Sequence, residues 1–178
     1  ADALVNTEDL PALWQALGDA NAVSAEWLTE FIATKNIAAR ARIAWPQEQI
    51  DSYFSKPTVA HIVHALEAAT DDWAKDTATT LRKRSPLMLH VVLEQVRRAR
   101  SMGLADDLRM ERDLVRHCFH LRPGASSETV EGIRALAVDK DHNPQWNPVR
   151  IEDVTPDMVQ PFFQSPWPAH AHPLRALG

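Results

Sequence analysis

The sequence predicts a mainly α-helical chain, and three observations carry that reading. Apolar residues recur at i, i+3, i+4 and i+7 along most of residues 9–140. Ser, Thr or Asp stands in front of nearly every such run, where a side-chain oxygen can accept from orphan helix amides. The only strand-like stretch is Ala3-Leu4-Val5; one strand makes no sheet, so its partner is expected outside this chain.

The elements follow in order. Leu10, Leu13, Trp14 and Leu17 share a face, with Thr7 as N-cap and Gly18 expected just past the end. Ser24 caps a second helix with Trp27, Leu28, Phe31 and Ile32 on one side. A short amphipathic piece runs from Pro46 to Phe54 and stops before Lys56-Pro57. Thr58 caps a helix with Val59, Ile62, Val63 and Leu66 facing inward. Asp71 or Asp72 opens the next, which carries Trp73, Thr77 and Leu81.

Ser85-Pro86 is the clearest helix start, because proline fits the first helical position, where its missing N–H is not needed. Leu87, Val91, Val92 and Val96 are its expected buried stripe, and Gly103 its expected left-handed terminator. A further helix is expected from about Asp106, with Leu114, Val115, Cys118 and Phe119 inward, broken at Arg122-Pro123-Gly124. Ser127 then caps Glu128 to about Val138. Seven of the twelve prolines fall after Lys140, so 141–178 reads as a Pro/Trp-rich closing segment. Thr155-Pro156 starts one short helix there, through Phe163, and the last few residues are expected to be mobile.

Composition narrows the function. The 178 residues carry 19 Lys and Arg against 24 Asp and Glu, a formal charge of −5, unlike a protein that coats nucleic acid. Cys118 is the only cysteine, so no internal disulfide forms. No apolar run approaches the ~20 residues of a membrane helix. The chain opens Ala1-Asp2-Ala3 without Met, basic leader or apolar leader, as a processed chain or a fragment would. Five glycines leave little material for phosphate-cradling loops, and no GxSxG, Walker or dinucleotide fingerprint occurs.

Several clusters invite chemistry. His61-x-x-His64 and His117-Cys118-x-His120 have spacings that suit zinc on a helix face, but neither carries the glutamate of an HExxH site, and no metal site is assigned. Cys118 lies among apolar residues, as a small buried hydrophobe does. Arg82-Lys83-Arg84 and Arg97-Arg98-x-Arg100 fit a solvated face, or a phosphate contact.

The run Glu131-Gly132-Ile133-Arg134-Ala135-Leu136-Ala137-Val138-Asp139-Lys140-Asp141-His142-Asn143-Pro144-Gln145-Trp146-Asn147-Pro148 is more specific. A glycine inside a helix costs about 1 kcal/mol against alanine, so Gly132 marks a close approach. Lys140 sits where a cation meets the negative pole of the helix, between two acids.

This run resembles the C-terminal signature of the 3-hydroxyisobutyryl-CoA hydrolase family, a branch of the crotonase (enoyl-CoA hydratase/isomerase) superfamily. Glu-Gly-Ile-Arg-Ala and Asp-Lys-Asp-His-Asn-Pro-Gln-Trp-Asn-Pro match; the opening Asp-Phe of the pattern is replaced by Glu128-Thr129. Ala3-Leu4-Val5 with Thr7 to Leu13, the Ser85-Pro86 helix, and Asp153-Val154-Thr155 to Phe162-Phe163 agree as well, so the resemblance covers essentially the whole chain.

The resemblance implies the helical C-terminal portion of a crotonase-like fold, without the N-terminal β-β-α spiral core. It implies three parts: residues 1–8 as the last strand or edge of the core, 9–140 as the helical region, and 141–178 as the closing segment. It implies a thioesterase acting on a branched 3-hydroxyacyl-CoA of valine catabolism, with the acyl-CoA as substrate and no separate cofactor. The catalytic carboxylates and oxyanion hole lie in the missing half, so no residue here is catalytic and this chain alone is expected to be inactive. Lys140 and Arg134 are candidate contacts to a CoA phosphate or adenine. Glu131, Gly132, Asp139, Asp141, Pro144 and Trp146 are structural signature positions. In the competing arrangement Arg134 pairs with Glu131 or Asp139 and Trp146 pins the loop.

Trp14, Trp27, Trp45, Trp73, Phe31 and Phe54 add apolar area that short helices alone do not cover, which calls for the crotonase core as partner, with neither nucleic acid nor membrane expected. The compartment is then the cytoplasm of a bacterium or the mitochondrial matrix of a eukaryote. Two alternatives are a non-catalytic crotonase-like subunit, for example of a mitochondrial ribosome, and an enoyl-CoA hydratase or isomerase.

Overall fold

A computed structural model describes residues 4–18, 24–35 and 47–177. The chain divides into two compact units, 1–47 and 48–178. Among the described residues every regular element is helical.

In the first unit a 3-10 turn at Thr7–Asp9 leads into α1 (Leu10–Gly18), so Thr7 lies inside that turn and does not cap the helix as expected. Gly18 is the last helical residue rather than the one beyond it. Ser24 starts α2 (Ala25–Lys35) by accepting from the Trp27 N–H at 3.1 Å. Lys35 pairs with Asp9 at 2.9 Å, and Trp27 stacks on Phe31 with centroids 5.1 Å apart. Trp14 stays 69% exposed. Leu4 and Val5 have no regular structure, while Ala3 and Trp45 lie outside the described residues.

The second unit holds α3 (Gln47–Phe54), α4 (Val59–Glu67), α5 (Asp72–Arg82), α6 (Pro86–Ala99), α7 (Leu104–His120), α8 (Glu128–Ile133) and α9 (Pro156–Val159). Thr58, Asp71, Ser85 and Ser127 each cap a helix through an oxygen that accepts from the backbone N–H three residues on. Ile62 and Leu66 of α4 pack on Ala74 and Ala78 of α5, where small residues let the helices approach. Leu87 and Val91 of α6 meet Met110 and Leu114 of α7, and Val159 and Phe162 close that core from the last segment. Val59 and Val63 pack on Ile151.

Four expectations about the second unit need correction. Val92 and Val96 are each 50% exposed, because α6 buries the Leu87–Val91 side. Helix α7 begins at Leu104, and Val115 and Phe119 point outward while His117 faces the core, its Nε2 2.7 Å from the Gln164 carbonyl. Gly103 has φ −75° and ψ 159°; it precedes α7 as an extended N-cap and is not left-handed. The chain end is fastened to α7: Arg109 donates to the carbonyls of Leu174 and Leu177.

Candidate functional site

The helix opened by Ser127 changes character at Arg134. From there to Val138 the turn widens to a π-helix, closed by the Asp139 N–H donating to the Arg134 carbonyl at 2.8 Å. Lys140 and His142 then take φ of +57° and +54°, a region that side chains with a Cβ rarely occupy. A conformation of that kind persists when its surroundings over-determine it.

Arg134 supplies the over-determination. Its Nε and Nη2 reach both oxygens of Glu131 at 2.9 and 2.8 Å. Nη1 donates to Asp139 and Asp141 at 2.6 and 2.7 Å, and Nη2 also to the Asn143 carbonyl at 3.2 Å. All five N–H donors are thereby engaged. Glu131 additionally accepts from the Gln145 N–H at 2.6 Å, and Asp141 from the Asn143 N–H at 2.8 Å. The guanidinium, and after it the Gln145 N–H, bring the Glu131 carboxyl down to about 2. Asp141 is lowered as well, again chiefly by Arg134. Arg134 is itself held protonated, first by Glu131 and then by Asp141 and Asp139.

Glu128 makes the second tie, a role that its place in the sequence alone does not show. It is buried; the Ser85 hydroxyl donates to its Oε2, and the Asn147 N–H to its Oε1 at 2.9 Å. One carboxylate thus joins the start of α6 to the far end of the loop. The available signal was an acid at the position where the family signature opens with one.

Trp146 completes the closure. Its Nε1 donates to the Lys83 carbonyl at 3.3 Å, and its ring lies against Gly132, where a Cβ would sit 3.3 Å from Cη2. A Gly132→Val substitution is expected to push the indole off its seat, costing about 1–3 kcal/mol. A chemical-denaturation midpoint measures this, and an unchanged midpoint would contradict the contact.

Between α6 and this loop runs a groove of about 670 Å³. Met88, Leu89, Val92, Ile133 and Leu136 give it an apolar floor; Lys83, Arg84 and His142 stand along it with Trp146. Lys140 is exposed beside His142 and, among the described residues, makes no hydrogen bond or ion pair. An apolar floor with cationic groups around it suits an amphipathic anion.

The remaining candidates are placed elsewhere. His61 Nδ1 lies 2.7 Å from the Thr58 hydroxyl, and His64 faces Glu152 at 3.5 Å. Cys118 is half-buried, and desolvation pushes its thiol up, away from nucleophilic thiolate character. Arg82 is spent on Glu67 and Glu152, and Arg97 on the carbonyls of Lys56 and Pro57.

A family described as Enoyl-CoA hydratase/isomerase matches residues 1–163. The chain belongs to the enoyl-CoA hydratase/isomerase family. Within it, the chain is 40% identical over 119 residues to the probable 3-hydroxyisobutyryl-CoA hydrolase 3 of Arabidopsis thaliana, covering 65% of this chain and 31% of that protein. It is 30% identical over 167 residues to the mitochondrial 3-hydroxyisobutyryl-CoA hydrolase of Xenopus tropicalis, with shares of 90% and 42%. It is also 37% identical over 120 residues to the small ribosomal subunit protein mS47 of Arabidopsis thaliana, with shares of 65% and 29%. Among solved structures, an enoyl-CoA hydratase from Rhodobacter sphaeroides 2.4.1 superposes with a TM-score of 0.67 at 29% identity, covering 89% of this chain and 43% of that one.

The family match makes the helical bundle a portion of a crotonase-like fold. The chain spans about a third of the length of the curated hydrolases and ribosomal protein of Arabidopsis thaliana that it matches.

Proposed function

We propose that this chain is the C-terminal part of an acyl-CoA thioester hydrolase resembling 3-hydroxyisobutyryl-CoA hydrolase, and that it covers the CoA side of a catalytic core it does not contain. The observation that carries the reading is the signature run 131–148, folded into a locked loop beside an apolar groove with cations around it. Hydrolysis needs a carboxylate to activate or replace water and backbone amides to hold the thioester oxyanion. Both come from the core. This chain excludes water over the groove and offers positive charge to the nucleotide end of CoA. Lys140 carries that contact, because every N–H of Arg134 is already engaged within the loop. The protein works in the mitochondrial matrix of a eukaryote or in bacterial cytoplasm.

The test assays the full-length protein, or the chain with its associated core, for thiol release from 3-hydroxyisobutyryl-CoA and for hydration of an enoyl-CoA. Thiol release supports the hydrolase; hydration without it identifies a hydratase and overturns the reading. Lys140→Ala is expected to weaken CoA binding roughly three- to tenfold and to leave dephospho-CoA, which lacks the 3′-phosphate, unaffected. Equal CoA affinity in the two proteins would remove Lys140 from the contact.

The likeness to a small ribosomal subunit protein favours one second reading, a non-catalytic structural subunit. Co-sedimentation with ribosomal small subunits, together with inertness toward every acyl-CoA, is the result that reading requires.

A further inference from the structure

A separate row of basic side chains lies on α7. Arg109, Arg112, Arg116 and His120 recur at i, i+3, i+7 and i+11, along one side of the helix. Arg109 is spent on Asp106 and on the carbonyls of Leu174 and Leu177. Arg112 and Arg116 are exposed, and among the described residues neither makes a hydrogen bond or ion pair. Both guanidinium carbons instead lie over the Trp167 ring, 5.2 and 5.3 Å from its centroid.

The platform beneath them is fixed. Trp167 meets His172 edge-on, with centroids 5.4 Å apart. His172 is buried, accepts from the Leu174 N–H at its Nδ1, and holds Asp113 at 3.0 Å through its Nε2. Two carboxylates of the same helix are committed, Asp113 to His172 and Asp106 to Arg109. The ring contact uses no N–H in a hydrogen bond, so the N–H forks of both guanidinium groups stay available. Two like charges over one ring repel each other, and an oxyanion shared between them reverses that repulsion.

We propose that Arg112 and Arg116, held over Trp167, bind the phosphate group of a small phosphorylated compound. Residues four apart on a helix hold their Cβ atoms about 5–6 Å apart, which lets both forks converge on one tetrahedral anion. Arg109, the next arginine along the row, is engaged, so among the described arginines of α7 the free guanidinium forks are this pair, which fits one small anion rather than a nucleic-acid backbone.

The test is calorimetric titration of the full-length protein with inorganic phosphate and, separately, glycerol 3-phosphate; stronger binding of one distinguishes free phosphate from a phosphomonoester. Saturable binding of either is expected, weakened at least about tenfold in the Arg112→Gln/Arg116→Gln double variant. An Arg112→Lys/Arg116→Lys variant keeps the charge and loses the forks, so intermediate affinity is expected, with an unchanged circular dichroism spectrum as evidence of folding. Failure of the wild type to saturate with either probe, or equal binding by the glutamine variant, overturns the proposal.

Discussion

Replacing Arg134 with glutamine will open the loop from Asp139 to Asn147 while the α4–α5 pair stays folded. The guanidinium is the shared partner of Glu131, Asp139, Asp141 and the Asn143 carbonyl. Glutamine fills part of the space but has two donors in place of five, and no charge. Three carboxylates then face one another without a cation, and the left-handed backbone at Lys140 and His142 loses the contacts that hold it. Hydrogen exchange reads this directly: the amides of Asn143, Gln145 and Asn147 should lose protection, while those of α4 and α5 keep theirs. Unchanged loop protection would show that Arg134 is not what holds the loop.

The same cluster sets the acid response. Glu131 titrates at about 2 when folded, against an ordinary 4.5, chiefly because of Arg134. Glu152 sits at about 2 as well, chiefly because of Arg82. A folded value below the unfolded one means that the stabilisation is complete above about pH 4.5 and is lost as the pH falls toward 2. Loop protection in the wild type should therefore decline across that window. Glu131→Gln should flatten the decline at the loop and leave the Glu152 part in place; an identical profile in that variant would remove Glu131 as its source.

Glu128→Ala is the second large effect, expected at about 3 kcal/mol. The substitution orphans two donors at once, the Ser85 hydroxyl and the Asn147 N–H, in a region that water does not reach freely. Glu128→Gln keeps a carbonyl oxygen for one of them and should recover roughly half of the loss. Urea denaturation followed by circular dichroism measures both variants. A loss of less than about 0.5 kcal/mol in the alanine variant would mean that water replaces both bonds.

The signature that was legible in the sequence and the site that forms in the structure share their residues but differ in their logic. Arg134 and Lys140 read alike as candidate contacts to CoA. In the fold they part, because the π-helical turn and two left-handed residues bring Asp139, Asp141 and Asn143 back around one guanidinium. Nothing in the residue spacing announces a wide turn. The buried His172–Asp113 pair spans 59 residues and was equally invisible.

By itself the sequence determined where the helices with a side-chain cap begin, but not the starts of α1 and α7. Ser24, Thr58, Asp71, Ser85 and Ser127 cap as expected, because a cap is a bond between a side chain and an amide three residues away and needs no tertiary partner. Only the tertiary structure decided which sides are buried. Helices α6 and α7 each carry apolar residues on two sides: Leu87 and Val91 against Val92 and Val96, Met110 and Leu114 against Val115 and Phe119. Apolar burial has no direction of its own, so the choice between equivalent stripes passes to whichever neighbour packs there, here Val159 and Phe162.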